Sequence, residues 1–159
     1  DALALWAFRA SNPHRFTPSL TMNYSLGQCR ILDLPGVSDP RGSLNFVEGG
    51  HHVPFRIGRV FYIHGIADGC ARGGHAHWRE QEVVIPVSGH FDVILSDGAT
   101  EVTYRLDRAN RGLYVCPLIW VRLENFSPDA VCLVLASEPY DEADYLRDHD
   151  TFLAARAAL

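Results

Sequence analysis

The stretch Gly73-Gly74-His75-Ala76-His77-Trp78-Arg79-Glu80-Gln81-Glu82 sets two imidazoles one residue apart, with a carboxylate at Glu82. On an extended strand side chains alternate between faces, so His75 and His77 project to the same side and aim at one pocket. Two chemistries suit such a pair. Imidazole and carboxylate donors at this spacing can hold iron, manganese, nickel or zinc. Alternatively, imidazoles titrate near pH 6.5 when unperturbed, so one can take a proton while its neighbour gives one. That pairing fits abstraction of a proton beside a carbonyl and its re-delivery at the adjacent atom.

A cationic and aromatic group accompanies the pair: Arg41 in Asp39-Pro40-Arg41-Gly42, Arg59 and Tyr62 in Arg59-Val60-Phe61-Tyr62, and Arg72 just ahead of the glycines. Guanidinium forks bind diphosphate and a phenol ring stacks on a nucleobase. Taken singly, each arginine suits a solvated surface position. The chain carries 14 basic residues, none of them lysine, so a lysine Schiff base is excluded. A net charge of −5 argues against a nucleic-acid or membrane-surface binder. Cys29, Cys70, Cys116 and Cys132 contain no C-x-x-C pair, which leaves a zinc ribbon unsupported and suggests a reducing, cytoplasmic setting.

The elements that must hold these residues read as strands. With 159 residues and 47% hydrophobic content the chain fits one domain with a sizeable core. Residues 1–24 lack a sustained period and are read as an extension or an arm packing on a partner; residues 25–159 form the domain. Short strands are predicted at 29–32, 43–47, 59–63, 74–77, 82–87, 91–95, 100–106, 112–115, 120–126 and 130–136, parted by turn residues. Asp97-Gly98 between two alternating runs is the strongest hairpin signal. Only the C-terminus reads as helix, capped by Asp150 over 152–159. Ten short strands and one helix give an all-β jelly roll or barrel.

The pattern His-x-His-x4-Glu-x6-Gly, carried by His75, His77, Glu82 and Gly89, resembles the first motif of the cupin superfamily. The second motif would supply another histidine past a Gly...Pro turn. That turn is present from Gly112 to Trp120, but Val121 and Arg122 stand where the histidine belongs, and a nearby cation opposes a divalent metal. No metal and no cofactor are expected.

Longer segments carry a closer resemblance: Asp39-Pro40-Arg41-Gly42-Ser43-Leu44, Pro54 to Ile63, Arg72-Gly73-Gly74-His75-Ala76-His77, Gly112 to Val115, and Val134 to Arg147 with its Tyr140-Asp141-Glu142-Ala143-Asp144-Tyr145 core. In order and spacing these are similar to the sugar-nucleotide 3,4-ketoisomerases of the WxcM-like cupin family. The resemblance implies a cupin double-stranded β-helix and an isomerase that moves the carbonyl of dTDP-4-oxo-6-deoxy-D-glucose from C4 to C3 through an enediol, for 3-amino-3,6-dideoxy sugar biosynthesis. It implies metal-free proton transfer by His75 and His77, and nucleotide, diphosphate or sugar contacts from Arg41, Arg59, Tyr62 and Arg72. It also implies a homodimer with exchanged strands, 29–32 being the candidate. Two departures stand out: Gln81-Glu82 where the family commonly has Glu-Gln, and Val121 where histidine is frequent. A metal-dependent cupin dioxygenase, a non-catalytic nucleotide-sugar binder and a sugar-nucleotide epimerase are the alternative readings.

Overall fold

The computed structural model describes residues 24–159; the extension proposed for 1–24 lies almost wholly outside them. Twelve strands are present: β1 Arg30–Asp33, β2 Gly36–Asp39, β3 Gly42–Asn45, β4 Arg59–His64, β5 Arg72–His77, β6 Glu82–Ser88, β7 Phe91–Ser96, β8 Glu101–Leu106, β9 Arg111–Val115, β10 Trp120–Glu124, β11 Val131–Ala136 and β12 Tyr145–Leu146. One helix, α1 His149–Ala157, ends the chain. Two five-stranded antiparallel sheets, β1-β9-β6-β11-β4 and β12-β5-β10-β7-β8, make the jelly roll, and β2 with β3 forms a separate hairpin.

The two sheets share one core. Val83, Ile85, Leu113 and Cys132 from the first join Phe91, Val93, Leu95, Val121 and Leu123 from the second in a single buried cluster. Each buried aliphatic or aromatic side chain contributes about 1.5–3 kcal/mol relative to exposure. The alternation of Phe91, Val93 and Leu95, all fully buried, is the pattern by which β7 is legible in sequence. The Asp97-Gly98 hairpin forms as expected: the Asp97 carboxylate accepts the backbone N–H groups of Ala99 and Thr100 and closes the β7–β8 connection.

Two sequence expectations are corrected, and the strand proposed for exchange is placed within the single chain. The helix is capped by Asp148, whose carboxylate accepts the Thr151 N–H and hydroxyl, and it starts at His149; Asp150 instead lies in its first turn, where a negative charge suits the helix dipole. β2 and β12 escaped the sequence reading because four- and two-residue strands leave no resolvable period. β1, the strand proposed for exchange, is paired over its whole length with β9 of its own chain, from Arg30↔Tyr114 to Asp33↔Arg111. Among the described residues the β2–β3 hairpin pairs with no other strand and is exposed at all eight strand residues, with Val37 at 65% and Leu44 at 61%. Among the described residues no helix is long and apolar enough to cross a membrane.

Gly89 closes β6 with φ +61, and a Cβ there would meet the Ser127 hydroxyl at 2.2 Å and the Ala130 backbone at 2.9 Å. Gly89→Ala should therefore lower unfolding stability by about 1–2 kcal/mol or more in urea titration, from left-handed strain plus the close approach.

Candidate active site

β5 carries the histidines into place through a backbone that only glycine tolerates. Gly73 and Gly74 both adopt positive φ, and a Cβ on Gly73 would approach the Val121 carbonyl to 2.6 Å. The strand thus lies tight on β10, with Val121 opposite His75 across the ladder. The residue that replaces the frequent histidine is therefore a buried apolar neighbour of His75, 3% exposed.

The imidazoles of His75 and His77 meet edge to face, centroids 4.9 Å apart. β12 pairs with β5 so that Tyr145 sits beside His77, and its ring lies 5.0 Å from His75 and 4.3 Å from His77. The two histidines nevertheless occupy different surroundings. His75 is partly exposed; His77 is 4% exposed.

Carboxyl groups surround His77. Its Nδ1 lies 3.4 Å from Asp144 Oδ2, and its Nε2 lies 3.5 Å from Glu80 Oε1 and 3.8 Å from Glu82 Oε1. These are charge contacts rather than closed hydrogen bonds, since neither ring nitrogen meets hydrogen-bond geometry. Each ring nitrogen thus has a carboxylate oxygen before it. Glu80 also accepts from Arg59 Nη2 at 2.8 Å, and that same Nη2 approaches the Tyr145 hydroxyl at 3.4 Å. Asp144 accepts the Glu80 backbone N–H and Arg79 Nε, each at 3.0 Å. Three carboxyl groups thus face two guanidiniums and one imidazole; the carboxyl groups and the imidazole are buried, whereas the Arg79 side chain is 40% exposed.

The environment drives these groups apart. Burial, then the charge on His77, lowers His75 to about 4, so it is a neutral base at neutral pH. Burial raises Glu80 to about 7, opposed by His77 and reinforced by Glu82. Glu82 is raised by burial as well. Burial opposes ionisation of Asp144 too, but the close contact of His77 and the hydrogen bonds from Arg79 and the Glu80 amide hold its carboxyl below the usual range.

Of the residues expected from sequence, His75, His77 and Arg59 come together. Tyr62 does not join them. On β4 the residues Arg59, Phe61 and Ile63 are the more buried ones and alternate with exposed Val60, Tyr62 and His64, so Arg59 and Tyr62 face opposite sides. Tyr62 is 65% exposed and its ring stacks on His64 at 5.6 Å. Arg72 opens β5 at its exposed end, opposite Leu123. Arg41 sits at the tip of the β2–β3 hairpin with its side chain 90% exposed, bound to Asp39. The sequence reading gave no role to Glu80, Asp144, Tyr140, Tyr145 and Arg147. Arg147 lies over the Tyr145 ring at 4.2 Å and Arg59 over Tyr140 at 5.6 Å, so the segment following β11 folds as a cationic and aromatic strap beside His75. Its motif was visible; the two-residue pairing that lays it on β5 was not.

Glu82, the departure noted from sequence, points into the cluster, whereas Gln81 accepts from the Tyr114 hydroxyl at 2.7 Å. Among the described residues, His77, Glu80 and Glu82 place one donor atom each within 4.8 Å of the others and could take a cation, in competition with the Arg59 contact. A second such set, Glu48, His51 and His52, lies on a surface loop, where His52 Nδ1 already accepts the Glu48 N–H.

The family model described as "FdtA: WxcM-like, C-terminal" matches residues 27–157. The chain is 40% identical over 123 residues to the TDP-4-oxo-6-deoxy-alpha-D-glucose-3,4-oxoisomerase of Aneurinibacillus thermoaerophilus, covering 77% of this chain and 88% of that one. Among solved structures it is similar to the 3,4-ketoisomerase QdtA of Thermoanaerobacterium thermosaccharolyticum, a mutant of which was solved with TDP-4-keto-6-deoxyglucose (TM-score 0.81, 32% identity, 83% of this chain and 96% of that one). It is also similar to the TDP-quinovose 3,4-ketoisomerase WlaRB of Campylobacter jejuni (TM-score 0.76, 44% identity, 79% and 97%). Two sheets, a histidine pair on β5 and relatives of this kind along nearly the whole domain lead to one conclusion: the chain belongs to the FdtA, WxcM-like family of sugar-nucleotide 3,4-ketoisomerases.

Proposed function

We propose that this protein moves the carbonyl of dTDP-4-oxo-6-deoxy-D-glucose from C4 to C3, with His75 as the carbon base and His77 as its proton-transfer partner. The observation that carries the division of labour is the contrast between the two imidazoles: one lowered to about 4, the other enclosed by Asp144, Glu80 and Glu82. His75 takes the proton from C3; the electron pair forms the C3–C4 double bond and the C4 carbonyl oxygen gains the negative charge. A proton from the His77 side neutralises that oxygen, giving the enediol. Loss of the proton on the C3 oxygen then returns the electrons, C4 takes a proton, and the carbonyl stands at C3. Arg59, Arg147, Tyr140 and Tyr145 supply a cationic and aromatic wall for the sugar nucleotide.

We further propose a homodimer, in which the β2–β3 hairpin covers its exposed Val37 and Leu44 on a second copy. Arg41, at the hairpin tip, then serves the partner's site rather than its own. Tyr62 and Arg72, both exposed in the single chain, are assigned to substrate or to that interface. Four free cysteines, two of them in contact yet unlinked, support a cytoplasmic setting.

His75→Asn should abolish exchange of the substrate C3 proton with deuterated solvent while retaining nucleotide-sugar affinity in calorimetry. Exchange at the parental rate in both His75→Asn and His77→Asn would remove the catalytic assignment. For the parent enzyme, kcat/KM should hold from neutral pH down to about 5 and fall as pH passes through about 4, because protonating His75 removes the base. Activity should survive exhaustive chelation with EDTA; loss on chelation and recovery with a divalent ion would assign the His77, Glu80 and Glu82 set to a metal instead. Leu44→Asp should convert a dimer to a monomer in light-scattering chromatography; a parent already monomeric contradicts the hairpin assignment.

A further inference from the structure

Two thiols touch each other outside everything the isomerase site uses. Cys29 ends the turn before β1, Cys116 follows β9, and their sulfurs are 3.7 Å apart with side chains 4% and 3% exposed. β1 is an edge strand, hydrogen-bonded only to β9, and its last rung is Arg30↔Tyr114. Cys29 therefore sits one residue, and Cys116 two residues, past the end of that ladder. A disulfide of about 2.05 Å requires their approach by only about 1.7 Å.

We propose that Cys29 and Cys116 form a reversible intrachain disulfide under peroxide, a covalent staple that ties the first strand to the main sheet. The Cys29 thiolate attacks hydrogen peroxide, forming a sulfenic acid and releasing hydroxide. Cys116 then attacks that sulfur; its proton and the departing hydroxyl leave as water, and the two sulfurs are joined. Two thiols are oxidised and one peroxide is reduced to two waters. The order follows from the pair's surroundings. The hydrogen bond shared with Cys116 holds the Cys29 thiol below its ordinary value against the effect of burial, and Arg30 adds to it. The same contact, with burial, pushes Cys116 up.

The staple reaches toward the site. Two residues past Cys116, Leu118 donates its N–H to the carbonyl of His77 at 2.8 Å, with φ at +57. Joining Cys116 to Cys29 thus fixes β1 to the turn that braces the histidine strand and forbids exchange of that strand while oxidised. Cys132 serves as an internal control, since burial drives its thiol up to about 12.

The test uses the full chain with Cys70→Ser, which removes the exposed thiol. After hydrogen peroxide and maleimide blocking, two of the remaining thiols should be lost and intact mass should fall by the two hydrogens removed. Trypsin should give a linked species joining the peptides that end at Arg30 and Arg122, and dithiothreitol should release it. The oxidised protein should migrate as a single chain on a non-reducing denaturing gel. Adding Cys29→Ser should abolish thiol loss, while adding Cys116→Ser should leave Cys29 as a dimedone-reactive sulfenic acid. Unchanged thiols, a mass gain from sulfinic acid, or a link joining two chains would each overturn the proposal.

Discussion

Buried charge must be compensated, and in this molecule that requirement is met at one place, around His77. Arg59 comes from β4 in one sheet, His77 from β5 in the other, Glu80 from the crossover between sheets, Glu82 from the start of β6, and Asp144 from the strap that follows β11. The cluster therefore joins every layer that forms the site. Removing one partner of a buried pair costs about 3–5 kcal/mol because the other charge is left without compensation. Asp144 binds the Glu80 amide and Arg79 and faces the Nδ1 side of His77, so the strap and the histidine strand are positioned by the same carboxylate.

The asymmetry between the histidines follows from this cluster. Two imidazoles alternating onto one strand face would be chemically alike in water. Here His77 is wrapped by carboxyl groups, and its charge together with burial lowers its neighbour. A base that is free at neutral pH stands beside a group well placed to carry a proton. Metal chemistry would reuse some of the same donors, but Arg59 sits on Glu80 at 2.8 Å.

Much of this was legible in the sequence, for identifiable reasons. Strand alternation predicts the shared face of His75 and His77, the burial of Phe91, Val93 and Leu95, and the turn at Asp97-Gly98. The same rule, applied to β4, separates Arg59 from Tyr62; grouping them by proximity in sequence rather than by parity produced the misplacement. Glu80 was hidden because nothing local indicates that a charged residue in a crossover turns inward. Asp144 and Tyr145 were hidden because their placement depends on a two-residue pairing with His77 and Ala76, a contact between strands nearly seventy residues apart that no local period encodes. The motif marks Arg41 as a site residue, yet in the single chain it stands at an exposed hairpin tip, bound to Asp39.

The central claim is proton transfer between adjacent carbons of a keto sugar by the histidine pair. Proton NMR of dTDP-4-oxo-6-deoxyglucose with the purified enzyme in deuterated water tests it directly. The account expects the C3 proton signal to vanish as a 3-oxo sugar forms, bearing hydrogen or deuterium at C4. Recovery of a 4-oxo sugar with altered configuration at C3 or C5, or an unchanged spectrum, would contradict it.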